Sequence, residues 1–76
     1  MKELLTYVAQ NLVEHPEAVS VTETRGDGET LLELRVAPED MGKVFGRQGR
    51  IAKEIRTLMR SVAQRKGTRV SVEIVD

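Results

Sequence analysis

Two helical apolar patterns in this chain are separated by Gly46-Arg47-Gln48-Gly49. Met41-Gly42-Lys43-Val44-Phe45 stands before this run, and a long amphipathic pattern opens after it at Arg50. Two glycines three positions apart let a backbone turn sharply and let another molecule come close to it. The second glycine also opens a helix, whose first N–H groups lack intrahelical partners and carry partial positive charge. Arg47 adds a cation inside the turn. The combination makes a seat for phosphate. The rest of the fold must therefore hold a short hinge between two helices.

The chain has 76 residues, no cysteine and one histidine. That length fits one domain, spanning residues 1–76. A chain of this size buries only about 60–65% of its unfolded surface, so its core is thin. Neither a disulfide nor a thiolate metal site is available, and His15 lacks the second imidazole that a zinc site would want. No metal and no cofactor is expected. A fold this small rests on well-matched secondary structure or on a partner subunit. No stretch approaches the roughly 20 apolar residues of a membrane span. The start, Met-Lys-Glu-Leu-Leu, does not read as a secretory signal, so a cytoplasmic protein is expected.

Twelve basic and twelve acidic residues cancel overall, but they are not mixed along the chain. Lys43, Arg47, Arg50, Lys53, Arg56, Arg60, Arg65, Lys66 and Arg69 lie in one segment with a single acid, Glu54, for a net charge of +8. The remaining residues carry three basic and eleven acidic groups, a net of −8. The hinge lies in the basic half. Ordinary surface helices mix signs, so this separation points to a polyanionic partner.

Lys2 to Glu14 places Leu4, Leu5, Val8, Leu12 and Val13 on one helical stripe, and Pro16 stops that helix near Glu14. His15 then suits the negative end of the helix. Ala18 to Thr24 alternates as a half-buried strand, with Val19, Val21 and Glu23 on one side. Arg25 to Glu29 is a hairpin turn built on Asp27-Gly28, which explains the Arg-Gly-Asp triplet without a cell-adhesion role. Thr30 to Val36 is the second strand, with Leu32, Leu34 and Val36 inward. Pro38, Glu39 and Asp40 open a short helix, where the acids suit the positive pole. The long helix runs from Arg50 to Lys66. Its buried stripe is Ile51, Ile55, Leu58, Met59 and Val62, its opposite side carries Arg50, Lys53, Arg60 and Gln64, and Gly67 stops it. Thr68 to Val75 is the last strand. The order α-β-β-α-α-β predicts an α+β fold, with three helices packed on one face of a mixed three-stranded sheet. If the second and third strands are neighbours, the helical crossover makes them parallel.

Other phosphate-binding patterns fail on spacing. Gly42 and Gly46 are one residue too close for a P-loop, and no Lys-Ser/Thr pair follows Gly46. The glycines follow a helix, which excludes a dinucleotide fingerprint. No nucleophile–histidine–acid set is available, so no enzyme is expected. Aromatic residues are limited to Tyr7 and Phe45, too few for a stacking platform of the kind used by many RNA readers.

The string Val44-Phe45-Gly46-Arg47-Gln48-Gly49-Arg50-Ile51-Ala52-Lys53-Glu54-Ile55, in its α-β-β-α-α-β setting, resembles the KH domain. The N-terminal helix and strand ahead of it resemble the bacterial, type II form, and above all its small single-domain members. Phe45 departs from the family's pattern, which usually has an aliphatic residue there. The resemblance implies a non-catalytic protein that binds single-stranded RNA in the cytoplasm, as a post-transcriptional regulator or RNA chaperone. It implies that Gly46 and Gly49 permit close approach of the RNA backbone and that Arg47 and Gln48 face the phosphates. Arg50 and Lys53 extend a basic rail. Ile51, with Ala52 and Ile55, floors an aliphatic groove, and Lys43 and Arg56 flank the site. The alternative it implies is a protein-interaction module: a homodimer, or the small subunit of a heteromer with a larger KH-containing RNA-binding protein, using a groove rimmed by Phe45 and Ile51.

Overall fold

A computed structural model of the chain describes residues 1–75. The elements are α1 (Lys2–Leu12), β1 (Ser20–Gly26), β2 (Glu29–Arg35), α2 (Met41–Phe45), α3 (Arg50–Arg65) and β3 (Arg69–Val75). Single 3-10 turns at Pro16–Ala18, Pro38–Asp40 and Arg47–Gly49 lead into β1, α2 and α3. The expected α+β order is present.

The sheet order is β1-β2-β3. β1 and β2 are antiparallel, with Gly26 opposite Glu29, so Asp27 and Gly28 form a two-residue hairpin turn. Both have positive φ (47° and 78°), which matches the right-handed twist of the flanking strands. β2 and β3 are parallel, as a helical crossover requires. The register forms rows across the sheet: Val21, Leu34 and Ile74 in one, and Glu23, Leu32 and Val72 in the next. These rows face the helices. Glu23 is the polar member, and Arg25 Nε donates to its carboxylate at 2.9 Å.

The core between sheet and helices holds Leu5, Ala9, Val21, Leu32, Leu34, Val36, Val44, Ile55, Met59, Ala63, Val70 and Val72. Several expectations are corrected here. The buried face of α3 is Ala52, Ile55, Met59 and Ala63, and Leu58 is 42% exposed. Leu58 follows the helical spacing loosely, but it lies about 100° around the axis from Met59. α1 ends at Leu12, two residues early, because Val13 is already extended (φ −102°, ψ 164°).

Asp40 explains the early stop. It is buried, with 1% exposure, and does not cap its own helix. Its Oδ1 accepts the N–H of Glu14 at 3.2 Å and its Oδ2 accepts that of His15 at 3.0 Å. The carboxylate takes two backbone donors from the end of α1 and ties that segment to the start of α2. His15 is consequently not a helix-end residue. It leads the turn into β1, with its ring nitrogens 3.6 Å from Glu17 and 3.7 Å from Glu39. Among the described residues, no helix is long and apolar enough to cross a membrane.

Candidate nucleic-acid interface

The hinge between α2 and α3 is held by its own backbone. The N–H of Gly46 donates to the Gly42 carbonyl at 2.9 Å, and that of Gly49 to the Gly46 carbonyl at 3.2 Å. The N–H of Arg50 donates to the Arg47 carbonyl. Gly46 has φ 74° and ψ 175°, a combination essentially confined to glycine. Gln48 (φ 58°) and Gly49 (φ 74°) follow in left-handed conformations. The tip of the turn is exposed at Arg47 and Gln48.

The two glycines are needed for different reasons. A Cβ on Gly46 would lie 2.6 Å from Ile51 Cγ1 and 2.9 Å from the Ile51 backbone nitrogen. The bare side of Gly46 is thus filled by the protein itself, as α3 folds back over the turn. A Cβ on Gly49 would meet nothing within 4 Å. Of the two hinge glycines, Gly49 is the one that leaves an open approach to its backbone.

α3 begins beside that opening. No side chain caps it, and no acid stands in its first turn. Its partial positive charge is met by no side chain of the helix's own first turn. Arg47 and Arg50 are exposed on either side of Gly49, and Lys53 is exposed one turn further along.

The other expected residues are placed less simply. Ile51 is half-buried against the core, whereas Ala52 and Ile55 are sealed (1% and 4% exposed), so only Ile51 can floor a groove. Lys43 Nζ sits 4.0 Å from Glu14 and 3.9 Å from Asp40 and is drawn toward those acids. Arg56 is half-buried, and its Nε donates to the Val72 carbonyl at 3.2 Å, bridging α3 to β3. Arg60 is absent from the expected set. With Arg56, Val70, Ser71 and Val72 it lines a shallow hollow along β3. Lys53, Arg56 and Arg60 share a 3–4 residue spacing that places them on one flank of α3. That spacing was the available signal, but it reads as a solvated face until β3 is seen beside it. A second hollow on α3 is lined by Arg50, Lys53, Glu54, Thr57 and Leu58.

Solved structures with the same architecture include Era in complex with MgGDPNP and nucleotides 1506–1542 of 16S ribosomal RNA, with a TM-score of 0.67. That match is 22% identical and covers 96% of this chain but 28% of the other, so it shows a shared fold. Among curated proteins, the RNA-binding protein KhpA of Clostridium acetobutylicum is 53% identical over 75 residues, covering 99% of this chain and all of the relative. The RNA-binding protein KhpA of Treponema pallidum is 48% identical over 75 residues, covering 99% of this chain and 94% of the relative. The family model described as "KhpA/KhpB, KH domain" matches residues 2–74. A match over nearly the whole chain, on the fold and hinge described above, means that this chain belongs to the KhpA/KhpB KH-domain family.

Proposed function

We propose that the chain binds single-stranded RNA and holds it by the sugar–phosphate backbone at the Gly46–Gly49 hinge. The observation that carries this is the open side of Gly49 against the uncapped start of α3. A phosphate seated there meets helix amides that no side chain has claimed, with Arg47, Arg50 and Lys53 around it. The names of the curated relatives, RNA-binding protein KhpA, support RNA as the polyanion. Backbone contact fixes register and supplies most of the affinity without reading sequence. Few cations and one domain imply micromolar or weaker binding. The role is non-catalytic and cytoplasmic, as a post-transcriptional regulator or RNA chaperone.

The test is Arg47→Asp combined with Gln48→Asp. Position 48 is left-handed, where Asp is well tolerated, and both side chains are exposed, so the fold is kept. Two acids beside the phosphate seat repel the backbone. Binding to a fluorescent single-stranded RNA is expected to fall at least tenfold with an unchanged melting curve. Unchanged retention would remove the hinge from the function.

A second reading, self-association or pairing with a larger KH-containing protein, is favoured by Leu58. It is a large apolar side chain exposed on the outer side of α3, whereas Phe45 and Ile51 are half-buried. Sedimentation of the pure protein, with and without RNA, distinguishes a dimer that coexists with RNA from one that competes with it.

A further inference from the structure

Gly42 is the second residue of α2, a helix of five residues, and it is exposed. Its φ is not positive, and a Cβ built on it would meet nothing within 4 Å. Neither backbone geometry nor internal packing calls for glycine at this position. Glycine is the weakest helix former after proline, and alanine is the best. The short helix is weakened for a bare Cα that nothing inside the molecule uses.

Phe45 lies one turn further on. Val44 is sealed and Met41 packs against the core, which fixes the inner side of α2. At about 100° per residue, Lys43 lies to one side of Val44 and Phe45 to the other. Lys43 is drawn to Glu14 and Asp40. Phe45 is half-buried, but it is not among the residues that pack against the core. At positions i and i+3, Gly42 and Phe45 are neighbours on the helix surface. A helical side chain leans back over the turn before it, which brings the Phe45 ring toward the bare side of Gly42. An aromatic ring thus borders the open space at Gly42, and Phe45 directly precedes the Gly46 hinge.

We infer that Gly42 and Phe45 form a seat for one unpaired base of the bound strand, stacked on the Phe45 ring and admitted by the missing side chain at Gly42. This rests on the RNA-binding reading above and adds to it a base contact on α2, separate from the backbone contact at Gly49. The nearness of the phosphate seat favours a base over a protein side chain as the occupant. One ring takes one base, so several aromatic residues are not required. The seat meets a π face and no hydrogen-bonding edge, so every base enters it, and the larger face of a purine stacks best.

The test uses 2-aminopurine, a fluorescent isomer of adenine whose emission is quenched by stacking. It is placed at successive positions of a uridine hexamer. Binding to the full native chain is expected to lower its emission at least twofold at one position. Phe45→Leu keeps an apolar side chain and removes the ring. Its affinity is expected to fall about fivefold or more and the quenching to disappear, the loss of one base–aromatic stack. Phe45→Tyr keeps a ring and is expected to retain both. Gly42→Ala is expected to melt about a few degrees higher than the native protein, yet to bind at least fivefold more weakly and without quenching. A merely structural role would move stability and binding together. The inference is overturned by an unquenched native complex, by a Phe45→Leu protein with the native affinity and quenching, or by a Gly42→Ala protein with the native affinity. An unquenched complex that Arg47→Asp with Gln48→Asp still abolishes removes this seat alone. Hexamer binding that the hinge variant leaves unchanged removes the hinge reading, and a native chain that binds no hexamer removes both.

Discussion

At Gly46 any side chain would be driven into Ile51, including its backbone nitrogen at 2.9 Å, and would have to adopt φ 74° with ψ 175°. Neither problem can be relieved by a rotamer change. Gly46→Ala is therefore expected to cost about 2–4 kcal/mol. Gly49→Ala meets open space and bears only the left-handed backbone penalty, about 1 kcal/mol. Urea unfolding of the two variants should give that order, and the reverse order would contradict the assignment of the two bare sides. RNA binding should respond the other way, since a methyl group on Gly49 stands in the open approach. Asp40 makes a comparable case away from the hinge. Asp40→Ala leaves the N–H groups of Glu14 and His15 without their acceptor, at an expected cost of about 1–3 kcal/mol by the same urea measurement. No local pattern announces this residue. Its partners lie 25 and 26 positions away, and an acid after Pro38 reads as helix-pole chemistry until the chain is folded.

The elements were legible where long apolar side chains mark a face, and less so where small residues do. In α3 the core is Ala52, Ile55, Met59 and Ala63. The two alanines give little signal in a hydrophobic pattern, so the larger Leu58 and Val62 drew the apparent stripe toward themselves. α1 repeats the effect, since Ala9 is buried beside Leu5 while Leu4, Val8 and Leu12 pack at the margin. Strands were easier, because alternation has one phase and the Asp27-Gly28 turn fixes the register. At the interface, the hinge and its cations were visible as a motif. The β3 edge was not, because which strand lies beside α3 is settled only by the crossover. The displaced stripe has a measurable consequence at two neighbouring residues. Met59→Ala opens a cavity in the core and should cost about 2–5 kcal/mol. Leu58 is 42% exposed and outside the core cluster, so Leu58→Asp should cost far less than Met59→Ala, about 1 kcal/mol or under. Thermal or urea denaturation reads both. If Leu58 is also a self-association face, the Leu58→Asp protein sediments as a monomer at concentrations where the native chain does not.

Across the whole molecule, a zero net charge conceals a separation of sign that the fold sharpens. The folded chain spans 34 × 22 × 18 Å, and the start of α3 gathers Arg47, Arg50 and Lys53, with Arg56 and Arg60 further along the same helix beside β3. Lys43 belongs to the same basic stretch of sequence but stands opposite Glu14 and Asp40. Lys43 is therefore a cation of the basic stretch whose charge is met inside the protein. Salt dependence tests this. For single-stranded nucleic acid, each phosphate contact contributes about −0.7 to the slope of log K against log salt, so five contacts predict a slope of about −3.5. Lys53→Ala should make the slope shallower by about 0.7, because one released counterion is lost. Lys43→Ala should leave the slope where it was, since its charge is already matched within the protein. A titration of RNA binding between low and moderate salt reads all three slopes. Equal changes for Lys43 and Lys53 would mean that the ion contacts with Glu14 and Asp40 yield to RNA, and that the whole basic segment acts as one diffuse field.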